Sequence, residues 1–284
     1  MILSPFTNEK TPSCYFTVKN GLYFFKDFSS GKGGDGIQFV KELFGENYWE
    51  ASKRIIKDYN TFIMNGGVLS LSSFKERSRY TVDCFDIRDW TSKDQYFWTR
   101  FNIGSKLLSL YNVRPLKSYC LFNGDNRICI NGEYIYGYFK SDGTLYKIYQ
   151  PYNAKYKFLK LQPYIQGEEQ VEGQPYLLYS KALKDIMSIK SFKFRLDVKA
   201  PDSENTLIPK HIVQKDLKTY KKVLVLFDND EAGIKASQKY LDTYGINPVY
   251  LNYGEKDVSD HIKKFGPTKV FYWLASLFDK NLNL

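Results

Sequence analysis

Apolar positions in this chain change their period several times, and each change marks an element. Tyr23-Phe24-Phe25-Lys26-Asp27-Phe28 reads as a strand, followed by a tight glycine turn, Ser29-Ser30-Gly31-Lys32-Gly33-Gly34. Asp35 is placed to cap a helix with Ile37, Val40, Leu43 and Phe44 on one face. A second helix around Tyr48 to Tyr59 turns Trp49, Ile55 and Ile56 inward. The stretch from Asn60 to Arg79, with Gly66-Gly67 and several serines, is polar and reads as a linker.

From Tyr80 the pattern is mixed, with short helices first and strands after. Arg127-Ile128-Cys129-Ile130, Tyr134 to Phe139 and Leu145 to Gln150 read as strands, the last two joined by a hairpin turn at Ser141-Asp142-Gly143. After Pro175 the rhythm becomes strand, helix, strand, helix. Tyr176 to Tyr179 is a short apolar run, Leu183, Ile186, Met187 and Ile189 have helical spacing, and Phe192 to Val198 is strand-like. Val223-Leu224-Val225-Leu226-Phe227 is continuously apolar, as a strand covered on both faces should be. A helix from Glu231 to Tyr244, a strand from Pro248 to Leu251 and helices near Asp257–Lys264 and Thr268–Phe278 complete the alternation. It implies a parallel sheet with helices on both sides.

Composition narrows the partners. Lys and Arg outnumber Asp and Glu by 41 to 31, and aromatic residues make up 17 % of the chain. Excess cation favours polyanions through counterion release, and ring faces offer unpaired bases a place to stack. The same Lys- and Tyr-rich usage also follows from an AT-rich genome, so charge alone decides little. No run approaches the roughly 18 apolar residues of a membrane span, and the amino terminus lacks a secretory pattern, so a cytoplasmic location is expected. Cys14, Cys84, Cys120 and Cys129 form no C-x-x-C pair and read as thiols in a reducing compartment. His211 and His261 have no partner pattern, and Gly31-Lys32-Gly33-Gly34 lacks the Lys-Ser/Thr of a phosphate loop.

The most informative string is VLVLFDNDEAG at 223–233. Ligand groups in open α/β sheets collect beyond the carboxyl ends of strands, where Asp228 and Asp230 fall. Residues two apart in extended chain point the same way, so both carboxylates can converge on one hard cation. The competing reading makes one of them a helix cap. Asp257, just after the next strand, is brought to the same edge and is as well explained by a cap as by a metal.

LFDNDEAG at 226–233 and KDVSDHIKKFG at 256–266 resemble the Toprim domain of bacterial and phage DNA primases, topoisomerases and related nucleases. SPFTNEKTPSCYF at 4–16 and GGDGIQFV at 33–40 are similar to the zinc-binding domain of those primases, and residues 127–158 resemble their core strands. The resemblance implies an α/β protein: a zinc-ribbon-like template-binding module lacking its zinc ligands at 1–60, a linker at 61–79, a mixed α+β primase core at 80–172, and a Toprim domain with C-terminal helices at 173–284. It implies template-directed synthesis of short RNA primers on single-stranded DNA from ribonucleoside triphosphates. Mg²⁺ or Mn²⁺ would be held by Asp228, Asp230 and Asp257, and a separate replicative helicase would be the partner. Arg127, Lys147, Lys155, Lys157 and Lys181 are the candidate nucleotide and template contacts, with Lys184 a further phosphate contact.

Two departures stand out. Aligning the motifs puts Ser4, Thr7, Phe25 and Phe28 at the zinc-ligand positions, and none of these side chains binds Zn²⁺ there. The expectation is a ribbon without zinc, closed by apolar packing of the two Phe side chains. In the Toprim domain the usual Glu after the first strand is Ser180, and the following acid position is Lys184, with Asp185 one residue late. Serine at its ordinary pKa is no general base. Either the three aspartates suffice, or Glu204 reaches in, or the protein is a silent single-strand DNA-binding or helicase-loading factor. A Toprim nuclease is the remaining alternative.

Overall fold

A computed structural model describes residues 1–19, 22–65, 81–122, 126–203 and 206–282. The chain forms two compact units, Met1–Tyr80 and Thr81–Leu284.

In the first unit, β1 (Cys14–Lys19), β2 (Leu22–Asp27) and β3 (Gly33–Asp35) form an antiparallel sheet in the order β1-β2-β3. Gly33 and Gly34 thus lie in a strand, not in the turn the sequence suggests. Asp35 caps α1 (Gly36–Phe44) by accepting from the Gln38 amide at 2.9 Å. The core is a trio of rings, Phe6, Phe25 and Phe39, with centroids 5.0–5.7 Å apart. Helix α2 (Tyr48–Met64) opens with a capping box of Asn47 and Glu50. Its buried residue is Ala51, whereas Trp49 and Ile56 are exposed, against expectation. The helix packs against α1. The helix runs to Met64, into the expected linker, and the remainder of that linker, 66–79, lies outside the described residues.

The second unit begins with a five-stranded antiparallel sheet in the order β4-β5-β6-β7-β8, made of β4 (Thr81–Ile87), β5 (Val113–Phe122), β6 (Arg127–Phe139), β7 (Leu145–Tyr149) and β8 (Phe158–Lys160). Residues 127–139 make one long strand, where the Asn131-Gly132-Glu133 break suggested two. Between β4 and β5 lie α3 (Ser92–Thr99) and α4 (Ser105–Leu110). Cys120 and Cys129, facing each other across β5 and β6, form a disulfide, which corrects the expectation of four thiols. Cys84 is a free, exposed thiol and Cys14 a free, buried one.

A parallel three-stranded sheet follows, in the order β10-β9-β11: β9 (Tyr176–Ser180), β10 (Leu196–Lys199) and β11 (Lys222–Leu226). One face packs Leu177, Tyr179, Val223 and Val225 against α6 (Lys210–Thr219) and α7 (Glu231–Tyr244). The other packs Leu178, Leu196, Leu224 and Leu226 against α5 (Leu183–Lys190), α8 (Val258–Phe265) and α9 (Pro267–Leu282). That second core continues into Phe97, Trp98 and Tyr136, so the antiparallel and parallel parts share one apolar interior.

The expected strand at 192–198 is only Leu196–Lys199. Lys193 takes a positive φ of 58°, and Phe192 and Phe194 pack on Phe271 of α9 instead of joining a ladder. The strand expected at 248–251 reduces to one bridge, Pro248 to Val225, in which the Val225 amide donates to the Asn247 carbonyl at 3.3 Å and the Val249 amide to the Val225 carbonyl at 2.8 Å. No helix among the described residues is long and apolar enough to cross a membrane.

Candidate active site

The parallel sheet ends its three strands at one edge, and the loops there carry the acidic residues. Ser180 closes β9, Asp228 follows β11 by two residues, and the Asn229 amide donates to the Lys256 carbonyl at 2.8 Å. That backbone bond draws the 256–257 segment beside Asp228. A pocket results, lined by Ser180, Lys181, Asp185, Asp228, Lys256 and Asp257 among others.

Asp228 is fully buried. Its Oδ2 takes the ammonium groups of Lys181 and of Lys256, the latter at 3.1 Å, while its Oδ1 is buried with no partner. Burial pushes its carboxyl up, against the pull of Lys181. Asp230 divides its oxygens: Oδ1 caps α7 through the Gly233 amide at 2.8 Å, and Oδ2 lies 2.5 Å from Lys256. The Lys256 bond and the Gly233 amide hold its carboxyl below the usual range. The two aspartates therefore converge, as their spacing predicts, but on the Lys256 ammonium. Asp230 is at the same time the helix cap of the competing reading.

Gly233 explains how Asp228 can sit so deep. A Cβ at that position would lie 2.3 Å from the Asp228 carbonyl oxygen. Only glycine lets the first turn of α7 close over the loop.

Asp257 caps α8 through the Asp260 amide at 2.7 Å and accepts from the Ser259 hydroxyl at 2.6 Å. Burial alone would raise its carboxyl, yet Lys184, 3.9 Å away, the Ser259 hydroxyl, the Asp260 amide and Lys181 together lower it. Lys184 also lies 3.8 Å from Asp260 and over the Phe101 ring. Asp185 is a site residue that sequence reasoning passed over as out of register. It is buried on α5, accepts from the Ser259 amide at 3.1 Å and faces the pocket. Burial first, then the Asp257 charge, pushes its carboxyl up to about 7. The signal for it was its place in the first turn of α5, on the apolar side with Ile186 and Ile189. The Ser180 hydroxyl is buried with no partner. Glu204 lies outside the described residues.

The basic candidates scatter. Lys181 is in the site, and the groups that shift Lys157 (burial first, then Lys184, Asp260, Asp257 and Lys181) place it within range of the site's charges. Lys147, expected on an open surface, is buried instead. Its ammonium donates to the Asp202 carbonyl at 2.7 Å, tying β7 to the loop after β10, and burial lowers it to about 8. Lys155 lies over the Tyr156 ring. Arg127 pairs with Asp83 at 2.8 Å and donates to the Cys84 sulfur at 3.0 Å, so its partners are on β4 rather than in the pocket.

No three of His, Cys, Asp and Glu stand close enough to hold a metal ion among the described residues. The unpartnered Asp228 Oδ1, with Asp257 lining the same pocket, still offers hard oxygen donors of the kind Mg²⁺ and Mn²⁺ take. In the first unit the zinc positions tell a different story. Ser4 donates to Asp27 at 2.8 Å, and Thr7 bonds Ser29 at 2.7 Å. Phe25 is in the ring core, but Phe28 is exposed against Tyr15, so the expected pair of Phe side chains does not close the ribbon.

Residues 1–67 match the CHC2 zinc finger family, the DnaG zinc ribbon, and residues 182–262 match a Toprim-like family. No curated protein matches the chain. Among solved structures, the zinc-binding and RNA polymerase domains of the Aquifex aeolicus primase are similar at 19 % identity and a TM-score of 0.49, covering 99 % of this chain and 86 % of that one. A DnaG catalytic core is similar at 13 % identity and a TM-score of 0.47, over 68 % and 77 % of the two chains. The primase fragment of the bacteriophage T7 primase-helicase is similar at 9 % identity and a TM-score of 0.42, over 93 % and 95 %.

Proposed function

We infer that the chain is a DNA primase of the DnaG type, and the observation that carries this is the pairing, in one chain and in this order, of a DnaG zinc-ribbon region at 1–67 with a Toprim-like region at 182–262. A Toprim-like region alone is shared with topoisomerases and nucleases. The amino-terminal ribbon is what selects the primase.

The chemistry is condensation of ribonucleoside triphosphates on a single-stranded DNA template. A divalent cation held by Asp228 with Asp230 or Asp257 would neutralise charge on the transferring phosphoryl group. Around it the chain's own residues supply the positive field. Lys181 and Lys256 lie on the carboxylates, and Lys184 and Lys157 extend the cationic rim toward β8. Such a rim suits a triphosphate, whose charge is spread over several oxygens. Ser180 cannot take a proton at ordinary pH, and the buried carboxylate of Asp185 is the acid that stands beside Asp228 in its absence. Template recognition falls to the first unit, whose hairpin and helices expose Phe16, Tyr23, Phe28 and Trp49, rings on which unpaired bases stack.

The test is primer synthesis on single-stranded templates with Mg²⁺ or Mn²⁺, comparing wild type with Asp228→Ala, Asp230→Ala and Asp185→Asn. Metal-dependent RNA products that vanish in Asp228→Ala support the reading. DNA binding without products from the wild type makes the chain a silent binding factor, and strand cleavage makes it a nuclease.

A further inference from the structure

The zinc that the CHC2 match implies does not suit the residues at this ribbon's knuckles. Structural zinc sites draw on pairs of Cys or His at C-x₂₋₄-C spacing, converging from two knuckles. The two segments that converge here are Ser4-Pro5-Phe6-Thr7 and Asp27-Phe28-Ser29-Ser30, each with two residues between its ends. Only Asp27 among their four end residues carries a side chain that Zn²⁺ takes, and neutral hydroxyls leave the ion without its charge balance.

What stands between the knuckles is a carboxylate. Asp27 is fully buried, at 0 % exposure, and its Oδ2 accepts from the Ser4 hydroxyl at 2.8 Å, the Ser30 amide at 3.1 Å and the Ser30 hydroxyl. Its Oδ1 lies 2.9 Å from the Ser13 hydroxyl and 3.2 Å from that of Ser29, which in turn reaches Thr7. Glu9 completes the amino-terminal knuckle by accepting from the Ser4 amide at 2.6 Å and the Ser13 amide at 3.1 Å. One buried anion thus gathers hydroxyls from residues 4, 13, 29 and 30, with that of Ser13 shared with Glu9, whose oxygens it approaches at 2.7 and 2.8 Å, and ties distant segments together as a metal would.

We propose that Asp27 replaces the structural zinc: its carboxylate cross-links the two knuckles through serine hydroxyls, and the ribbon folds without metal. The chemistry is inverted. A zinc ribbon gathers anionic ligands around a cation, whereas this one gathers neutral donors around an anion. A buried charge is tolerated only when hydrogen-bonded on all sides, and here Ser4, Ser13, Ser29 and Ser30 all lie within donor reach. The sequence shows the coordinated exchange as well: serine at two of the four knuckle-end positions (Ser4, Ser30), threonine at one (Thr7) and aspartate at one (Asp27), with no Cys or His among them. The free Cys14 is buried and is not among Asp27's hydrogen-bond partners.

The test does not depend on polymerase activity, so its failure and that of the proposed function are separable. Full-length protein is purified without chelator, its zinc is measured by elemental analysis, and hydrogen exchange is followed over residues 1–65. The expected result is substoichiometric zinc and protection unchanged by EDTA. In Asp27→Ala, exchange over 1–65 accelerates about tenfold or more while residues beyond 81 keep their protection. A fourfold variant (Ser4→Cys, Thr7→His, Asp27→Cys, Ser30→Cys) takes up one Co²⁺ with thiolate charge-transfer absorption, which marks these as the metal's former positions. Stoichiometric zinc in the wild type, loss of protection in EDTA, unchanged exchange in Asp27→Ala, or no cobalt uptake by the fourfold variant would each overturn the proposal.

Discussion

Gly233→Ala puts the position of Asp228 to a direct test, because local and tertiary effects have opposite signs there. Gly233 is the third residue of α7 and has ordinary helical backbone, so alanine should favour the helix by about 1 kcal/mol. The added Cβ would, however, lie 2.3 Å from the Asp228 carbonyl oxygen and 2.7 Å from the Asp228 Cβ. Relief needs a shift of about 1 Å by a loop that is packed on both sides, and such overpacking costs about 1–3 kcal/mol. The net expectation is loss of stability by up to about 2 kcal/mol. Activity should suffer more, since a displacement of that size costs about 10²-fold in rate. Gly36→Ala is the control: that position also lies at a helix start, with nothing within 4 Å of the new Cβ. Urea unfolding, monitored over the second unit for Gly233→Ala and over the first for Gly36→Ala, and primer synthesis are the two assays. A Gly233→Ala protein that is stabilised like the control and fully active would refute the packing of Asp228 against α7.

Two pH-dependent predictions follow from buried charges away from the site. Burial alone would raise the Asp94 carboxyl, but Arg88, Thr91 and Tyr136 hold it at about 2, against 3.8 when free. A depressed carboxylate stabilises fully above the free value and loses this as pH falls through the folded one, so Asp94→Asn should cost about 2 kcal/mol at pH 7 and nothing near pH 2, measured by denaturant unfolding. Lys147 is the opposite case. With its folded value at about 8 and the free value at 10.5, the unfolded chain binds the extra proton between them. Wild type should therefore gain up to about 3 kcal/mol relative to Lys147→Met as pH rises from 8 to 10.5, and parallel stability curves for the two proteins would sink the assignment.

Much of the parallel-sheet part was legible because its signals are local. A continuously apolar strand, an acid at its end and a helix beginning with a cap lie within 223–244, and the structure reproduces them almost residue for residue. Where apolar residues serve packing between helices, the same logic misleads. Phe192 and Phe194 look like strand residues and instead dock on α9, and Trp49 looks like a core residue and is exposed on α2. Helix α6 escaped notice because it is largely polar, burying Val213 and Asp216. The strand at 248–251 shrinks to a single bridge to Val225, carried by the Asn247 carbonyl and the Val249 amide on either side of Pro248.

The site itself was half legible. Spacing alone identifies Asp228 and Asp230 as able to share a partner. The partner they share, Lys256, comes from a segment about 26 residues further on, and Lys181 arrives from 47 residues away. Pairwise spacing along the chain carries no information about either. The ribbon shows the same limit in another form. Aligning the motifs finds Ser4 and Thr7 but sets the other knuckle two residues early, on Phe25 and Phe28, and the apolar packing expected of those two rings follows from that register. A substitution that removes four ligands has to restore a cross-link between segments more than 20 residues apart. Apolar packing restores area but no fixed directions, whereas a buried carboxylate restores both the centre and the directed bonds. Asp27 meets that requirement, with Ser30 beside it at the spacing the metal would have set.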